Sequence, residues 1–153
     1  MNYEYPDCPR AGYDPKSGKF PPQIGGWQPS GYINNALAKG YRLGFQSSSD
    51  HWSTHISYFV ALAERRDREA LLDAARKRHC YAATDNIIFD VRSGPYTMGD
   101  EWEAVQSPVF QVFVHGTANI RQLDVLRDSQ AVATMPGKQS DKLQVAWTDS
   151  KPE

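Results

Sequence analysis

Hydrophobic spacing changes character twice along the chain, and each change marks a different kind of element. From Met1 to Pro29 no period of 2 or 3.6 is visible, because six prolines and Gly12, Gly18, Gly25 and Gly26 interrupt it. The stretch predicts an irregular arm. Tyr3, Tyr5, Tyr13, Phe20 and Trp27 make it too aromatic for a free linker, so the arm is expected to pack over something, within this chain or outside it. Ser30 then suits the cap of a short helix through Tyr32, Ile33, Leu37 and Lys39, with Gly40 as the left-handed residue that stops it. Leu43 to Phe45 predicts a buried strand. Ile56 to Ala63 carries apolar residues at both parities, which fits a strand or a short helix, and strand is the reading taken. Asp67 opens an amphipathic helix with Glu69 in its first turn, Leu71, Leu72 and Ala75 facing inward, and Arg76, Lys77, Arg78 and His79 in its last turn.

Beyond Tyr81 the character changes. Ile87–Val91, Val109–Val114 and Leu143–Trp147 are short β-prone runs between turn residues. Leu123–Arg127 and Ala131–Ala133 flank Asp128-Ser129-Gln130 as a hairpin. The carboxyl-terminal half therefore predicts a mostly antiparallel sheet. Three segments follow: an arm over 1–29, a mixed segment over 30–85 and a β-rich module over 86–153.

At 153 residues with 40% hydrophobic side chains, the chain can bury a core of its own. A net charge of -1 provides no field to draw it to nucleic acid or an anionic membrane, and neither is an expected partner. No apolar run approaches the roughly 20 residues of a membrane helix, and Met1-Asn2-Tyr3-Glu4-Tyr5-Pro6-Asp7 lacks the regions of a signal peptide. As written the chain reads as cytoplasmic, although a full-length relative could be exported. Cys8 and Cys80 read as free thiols, since neither a secretory signal nor a dense cysteine pattern accompanies them.

The densest chemistry lies in Ser47-Ser48-Ser49-Asp50-His51-Trp52-Ser53-Thr54-His55, where an apolar approach ends in a carboxylate, two imidazoles and several hydroxyls. Carboxylate oxygen and imidazole nitrogen are donors that zinc, manganese or iron accept. Asp50 and His51 would point to opposite faces of a regular strand, so both can reach one centre only if the chain turns there. His55, four residues on, can join as a third ligand or orient one. The competing reading is structural, with Asp50 and Ser53 capping the next element and the histidines making local hydrogen bonds.

Other groups are weaker. The Arg76–His79 cluster sits at the negative end of a helix dipole, where a solvated face explains it better than a phosphate site. Thr84 and Asp85 suit a site rim or a strand-entry turn equally. His115 follows a strand and precedes Gly116, which marks a surface turn. Cys80 has cationic neighbours that could lower its pKa but no adjoining base. Gly-rich phosphate loops, Cys-x-x-Cys pairs and Gly-x-Ser-x-Gly elbows do not occur in the sequence.

The run Ala36–Phe45, then Ser48-Ser49-Asp50-His51 and Ser53–Tyr58, resembles the family catalogued as domain of unknown function 3604. Arg68-Glu69-Ala70, Arg78, Tyr81–Ile87, Met98-Gly99, Gly116-Thr117 and Trp147-Thr148-Asp149 fit the family's carboxyl-terminal pattern in order, so the likeness covers roughly Gly31 to Asp149. That family is related to the polymerase and histidinol phosphatase (PHP) superfamily, whose distorted (β/α)7 barrel holds two or three divalent metals for phosphoester or related hydrolysis. The resemblance implies an α/β fold, the carboxyl-terminal remnant of a PHP-like (β/α)7 barrel over 30–85 followed by a small antiparallel sheet or sandwich. It implies Asp50 and His51 as the barrel's final metal ligands, with His55 a weaker one, and zinc, manganese or iron as the metal. The family's early His-x-His motif and middle Glu and His ligands have no counterpart here. The chain is therefore expected to be inactive alone, its site completed by an amino-terminal barrel partner, with exposed barrel edges favouring self-association. A different class of function, a non-catalytic module contacting a protein or saccharide through the arm and sheet, is the alternative.

Overall fold

The computed structural model describes residues 32–49 and 57–151. These divide into two compact units. One holds the described residues up to Arg42 together with Leu126–Gln130; the other holds Leu43–Val125 and the chain from Ala131 onward.

In the first unit, helix α1 runs over Ile33–Ala38. Tyr32 occupies its N-cap position, and Ser30, the cap expected from the sequence, lies outside the described residues. Gly40 stops the helix as expected. Its φ of +80° lets the chain reverse while Gly40 N–H bonds Leu37 O and Tyr41 N–H bonds Ala36 O.

In the second unit, strand β1 (Tyr58–Ala61) leads through helix α2 (Arg68–Arg76) to β2 (Cys80–Ala83). Asp67 caps α2 by accepting the Ala70 N–H at 2.9 Å. The helix ends in a Schellman turn, in which His79 N–H bonds Ala74 O and Arg78 N–H bonds Ala75 O. Arg78 fills the left-handed position with φ 62°, where glycine is usual.

That reversal decides the topology. Tyr58 pairs with Ala83 and Ala61 with Cys80, so β1 and β2 are antiparallel. A (β/α) barrel unit needs parallel strands joined by a helical crossover. The expected α/β remnant of a PHP-like (β/α)7 barrel is thus overturned: among the described residues every paired strand belongs to a small antiparallel sheet, and the two helices are short.

The main sheet has the order β4-β3-β5-β8, formed by Tyr96–Thr97, Ile88–Ser93, Val109–His115 and Lys142–Thr148. Alternation sends Val112 and Val114 of β5 and Leu143 of β8 to one face, where they are buried against Ile87, Phe89, Val91, Ile120, Leu123 and Val145. Strands β6 (Gln122–Arg127) and β7 (Gln130–Pro136) form the expected hairpin. Its Asp128-Ser129 turn has φ of 48° and 64°, the doubly left-handed conformation that suits the twist of a two-residue connection.

Two further sequence expectations fail in this unit. Leu43 to Phe45 is not a strand, and Leu43 and Phe45 are 38% and 40% exposed. The segment instead runs unladdered past β2, with Gly44 so near that an added Cβ would stand 2.8 Å from Cys80 Sγ. Helix α2 buries Ala74 and leaves Leu71, Leu72 and Ala75 exposed, the reverse of the expected inward face.

Candidate functional site

Asp50, His51 and His55, the metal ligands expected from the sequence, lie outside the described residues. The residues on either side of them are described. Ser49 Oγ lies 3.4 Å from Ser57 O, and the Ser47 hydroxyl is shared between Ala83 O at 2.8 Å and Tyr58 O at 3.1 Å. Side-chain hydroxyls therefore tie the two ends of the 50–56 segment to one end of the β1–β2 pair.

The same end of that pair carries Thr84, Asp85 and Asn86. Asp85 accepts a 2.5 Å hydrogen bond from Thr117 Oγ1 and a second, at 2.7 Å, from the Asn86 N–H. Thr117 first and Asn86 second hold this carboxyl below the usual range. An acceptor engaged in this way ties the turn after β2 to the Gly116-Thr117 turn after β5. Both roles weighed for Asp85 thus reduce, in the described geometry, to a turn-to-turn clasp.

At the opposite end of β2, three members of the basic cluster, Lys77, Arg78 and His79, are engaged by structure. Lys77 pairs with Asp73 at 2.8 Å, and Arg78 reaches Gly99 O at 3.1 Å and Glu101 at 2.5 Å. His79 Nε2 meets Asp100 Oδ1 at 2.8 Å, while Asp100 Oδ2 accepts the Thr97 N–H at 2.8 Å. The Thr97 N–H and then His79 depress the Asp100 carboxyl. No local pattern signals this His–Asp pair, because its members come from separate segments brought together by the fold.

Cys80 is buried, and burial pushes its thiol up rather than down, with the Phe45 backbone only partly opposing the shift. The lowering that its basic neighbours suggested does not occur, since Lys77 and Arg78 direct their charges to carboxylates and the His79 ring is hydrogen-bonded to Asp100. His115 lies 3.4 Å from Asp141 at the sheet's rim, in keeping with a surface turn.

A second feature escaped the sequence reading altogether. Tyr96 and Trp102 stack with centroids 4.6 Å apart and planes 5° from parallel, Trp102 meets Phe110 at 6.1 Å, and Phe110 meets Trp147 at 5.7 Å. Tyr96, Trp102 and Phe110 wall a cavity of about 180 Å³ that also reaches Val91, Met98 and Thr97. Thr97 Oγ1 is buried there without a hydrogen-bond partner among the described residues. The row is built from β4, β5, β8 and the loop after β4, so no single sequence window contains it.

Among the described residues no three His, Cys, Asp or Glu side chains gather as a metal-binding group. Nor does any helix among them have the length and apolarity to cross a membrane.

The chain is similar to three curated chlamydial proteins, each described as uncharacterized. The relatives from Chlamydia muridarum and Chlamydia pneumoniae are 27% identical over 128 residues, and that from Chlamydia trachomatis serovar D is 26% identical over 128 residues. Each alignment takes in 69% of this chain but 20% of the relative. No family model matches the chain, and no solved structure matches it. The chain thus spans about one fifth of the length of the curated relatives it matches.

Proposed function

We propose that this chain is one part of a metal-dependent hydrolase-like assembly of the phosphoesterase type, contributing Asp50 and His51, with His55 beside them, to a site that another polypeptide completes. The observation carrying this reading is the hydroxyl clasp of Ser47 and Ser49 onto Tyr58, Ala83 and Ser57, which brings together the two ends of the segment bearing these donors. The resemblance of Ser48–Tyr58 and Tyr81–Ile87 to the 3604 family points the same way, as does the greater length of the chlamydial relatives.

The donor chemistry suits zinc, manganese or iron. In such a site the metal would activate water, and the role of Asp50 and His51 is to hold it rather than to attack. Three donors from one short segment leave a multinuclear site incomplete, so the isolated chain binds metal weakly and hydrolyses nothing. Titration of the purified chain with zinc and with manganese tests this. Weak binding that Asp50→Ala and His51→Ala each abolish supports the reading. Binding indifferent to both changes, or no binding by the parent, overturns it.

The aromatic row favours a second reading, a binding module for a ligand with a flat apolar face such as a sugar ring or an aromatic side chain. Its sign is a change in tryptophan fluorescence on adding monosaccharides or aromatic peptides that Trp102→Ala removes. An unchanged spectrum across both ligand classes counts against it.

A further inference from the structure

The chain treats the two edges of its main sheet differently. At one edge β4 is two residues long, and Asp100 takes up both outward backbone groups of Thr97: its N–H donates to Asp100 Oδ2 at 2.8 Å, and its C=O accepts the Asp100 N–H at 3.1 Å. At the other edge β8 runs for seven residues, and the strand order ends there. Bonds from Gly116 N–H to Asp141 O and from Asp149 N–H to Pro108 O bracket the β5–β8 ladder. The odd-numbered residues of β8 therefore bond β5, while Lys142, Gln144, Ala146 and Thr148 direct N–H and C=O outward. Ser140 Oγ takes the Lys142 N–H at 3.1 Å. Among the described residues no strand and no backbone hydrogen bond reaches the outward groups of the other three.

Sheets ordinarily guard such an edge with proline, charge or a bulge, because its unpaired groups template another strand. From Leu143 to Thr148 there is neither a proline nor a charged residue, and the unbroken register with β5 leaves no bulge.

A second copy of the chain fits this edge. Two-fold antiparallel pairing of β8 with itself sets outward residues opposite outward residues and keeps Leu143, Val145 and Trp147 of both copies on one face. Charge selects the register. Centred on Val145, the pairing would set Asp141 against Asp149 of the other copy; centred on Ala146, it sets Asp141 against Lys151, Gln144 against Thr148, and Ala146 against itself. About six backbone hydrogen bonds close the second ladder. Residues 1–29, with six prolines that lack an N–H, make a poorer ladder partner.

We infer that β8 is a dimerisation edge, through which two copies of this chain join their four-stranded sheets about a two-fold axis at Ala146.

Sedimentation of the full chain tests this, with a dimer that dissociates on dilution as the expected result. Ala146→Lys and Ala146→Glu each set like charges face to face across the axis and each weaken the dimer about fivefold or more, whereas an equimolar mixture of the two recovers it. The Ala146 side chain is exposed and its N–H bonds nothing among the described residues, so both variants keep the parent's circular dichroism. A gentler substitution reads the same register. In a Cys8→Ser background, Ala146→Cys oxidises to a disulfide-linked dimer, because paired Cα atoms about 5.5 Å apart suit that bond, whereas Gln144→Cys, out of register with itself, does not. A parent that stays monomeric at about 100 μM overturns the inference and leaves the edge to a different polypeptide. So does a dimer indifferent to both charges, a mixture that fails to recover it, or equal cross-linking at 144 and 146.

Discussion

Gly99 lies directly on the peptide of Arg78, so close that a Cβ at position 99 would stand 2.5 Å from the Arg78 carbonyl carbon and 2.6 Å from the Lys77 carbonyl oxygen. Backbone atoms cannot swing aside as a side chain would, and the φ of 95° at Gly99 is itself one that L-residues avoid. The contact fixes the loop after β4 against the end of α2, and the Arg78 guanidinium closes it by donating to Gly99 O. Gly99→Ala is expected to cost about 2–4 kcal/mol, seen as a lower urea midpoint with an unchanged m-value. A midpoint within error of the parent would show that the loop can lift away freely.

Acid should loosen the same junction. The Asp100 carboxyl is held below its ordinary value by the Thr97 N–H and His79, so its folded pKa lies under its unfolded one. The resulting stability is present above the unfolded value, about 3.9, and is lost as pH falls through the folded value. Asp67, held down chiefly by the Ala70 N–H, and Asp85, held down chiefly by Thr117, add contributions of the same sign. Urea midpoints between about pH 5 and pH 2 should fall for the parent and fall less steeply for Asp100→Asn. Parallel profiles would show that Asp100 carries no part of the acid response.

The Cys80 thiol is buried against Gly44 and raised by that burial. In a Cys8→Ser background, a disulfide reagent at neutral pH is expected to label Cys80 only as fast as the unit opens, and at once in denaturant. Immediate labelling of the folded protein would contradict the burial.

The β6–β7 turn places a serine at φ 64° after an aspartate at φ 48°. Glycine relieves the left-handed penalty at the second position while costing unfolded-state entropy, so the two effects partly offset. Ser129→Gly is expected to stabilise by about 0.5 kcal/mol, and Ser129→Val to destabilise, by thermal melting. Equal melting points for both would mean that the turn adapts its conformation.

Much of the local structure was legible in the residues. Asp67 and Glu69 announced α2, Gly40 announced the end of α1, and the β-prone run Val109–Val114 announced β5. The barrel expectation rested on treating β1, α2 and β2 as a parallel unit, and nothing local distinguishes that from an antiparallel return. The reversal hangs on Arg78, a non-glycine residue in a left-handed conformation supported by Gly99 and Glu101 some twenty residues away. The inward face of α2 was misjudged for a related reason. Leu71, Leu72 and Ala75 occupy one side of the helix and Ala70 and Ala74 the other, and periodicity reports that an apolar side exists without saying which one is covered.

The sequence by itself determined where the chain is periodic, where helices are capped and stopped, and which residues of each strand share a face, because these depend on neighbours a few positions apart. Only the tertiary structure decided the direction in which β1 and β2 pair, the joining of His79 to Asp100 and of Asp85 to Thr117, and the assembly of Tyr96, Trp102, Phe110 and Trp147 into one row. Those arrangements bring together residues far apart in the chain, and their energies come from packing and hydrogen bonds between separate segments that no local window of sequence contains.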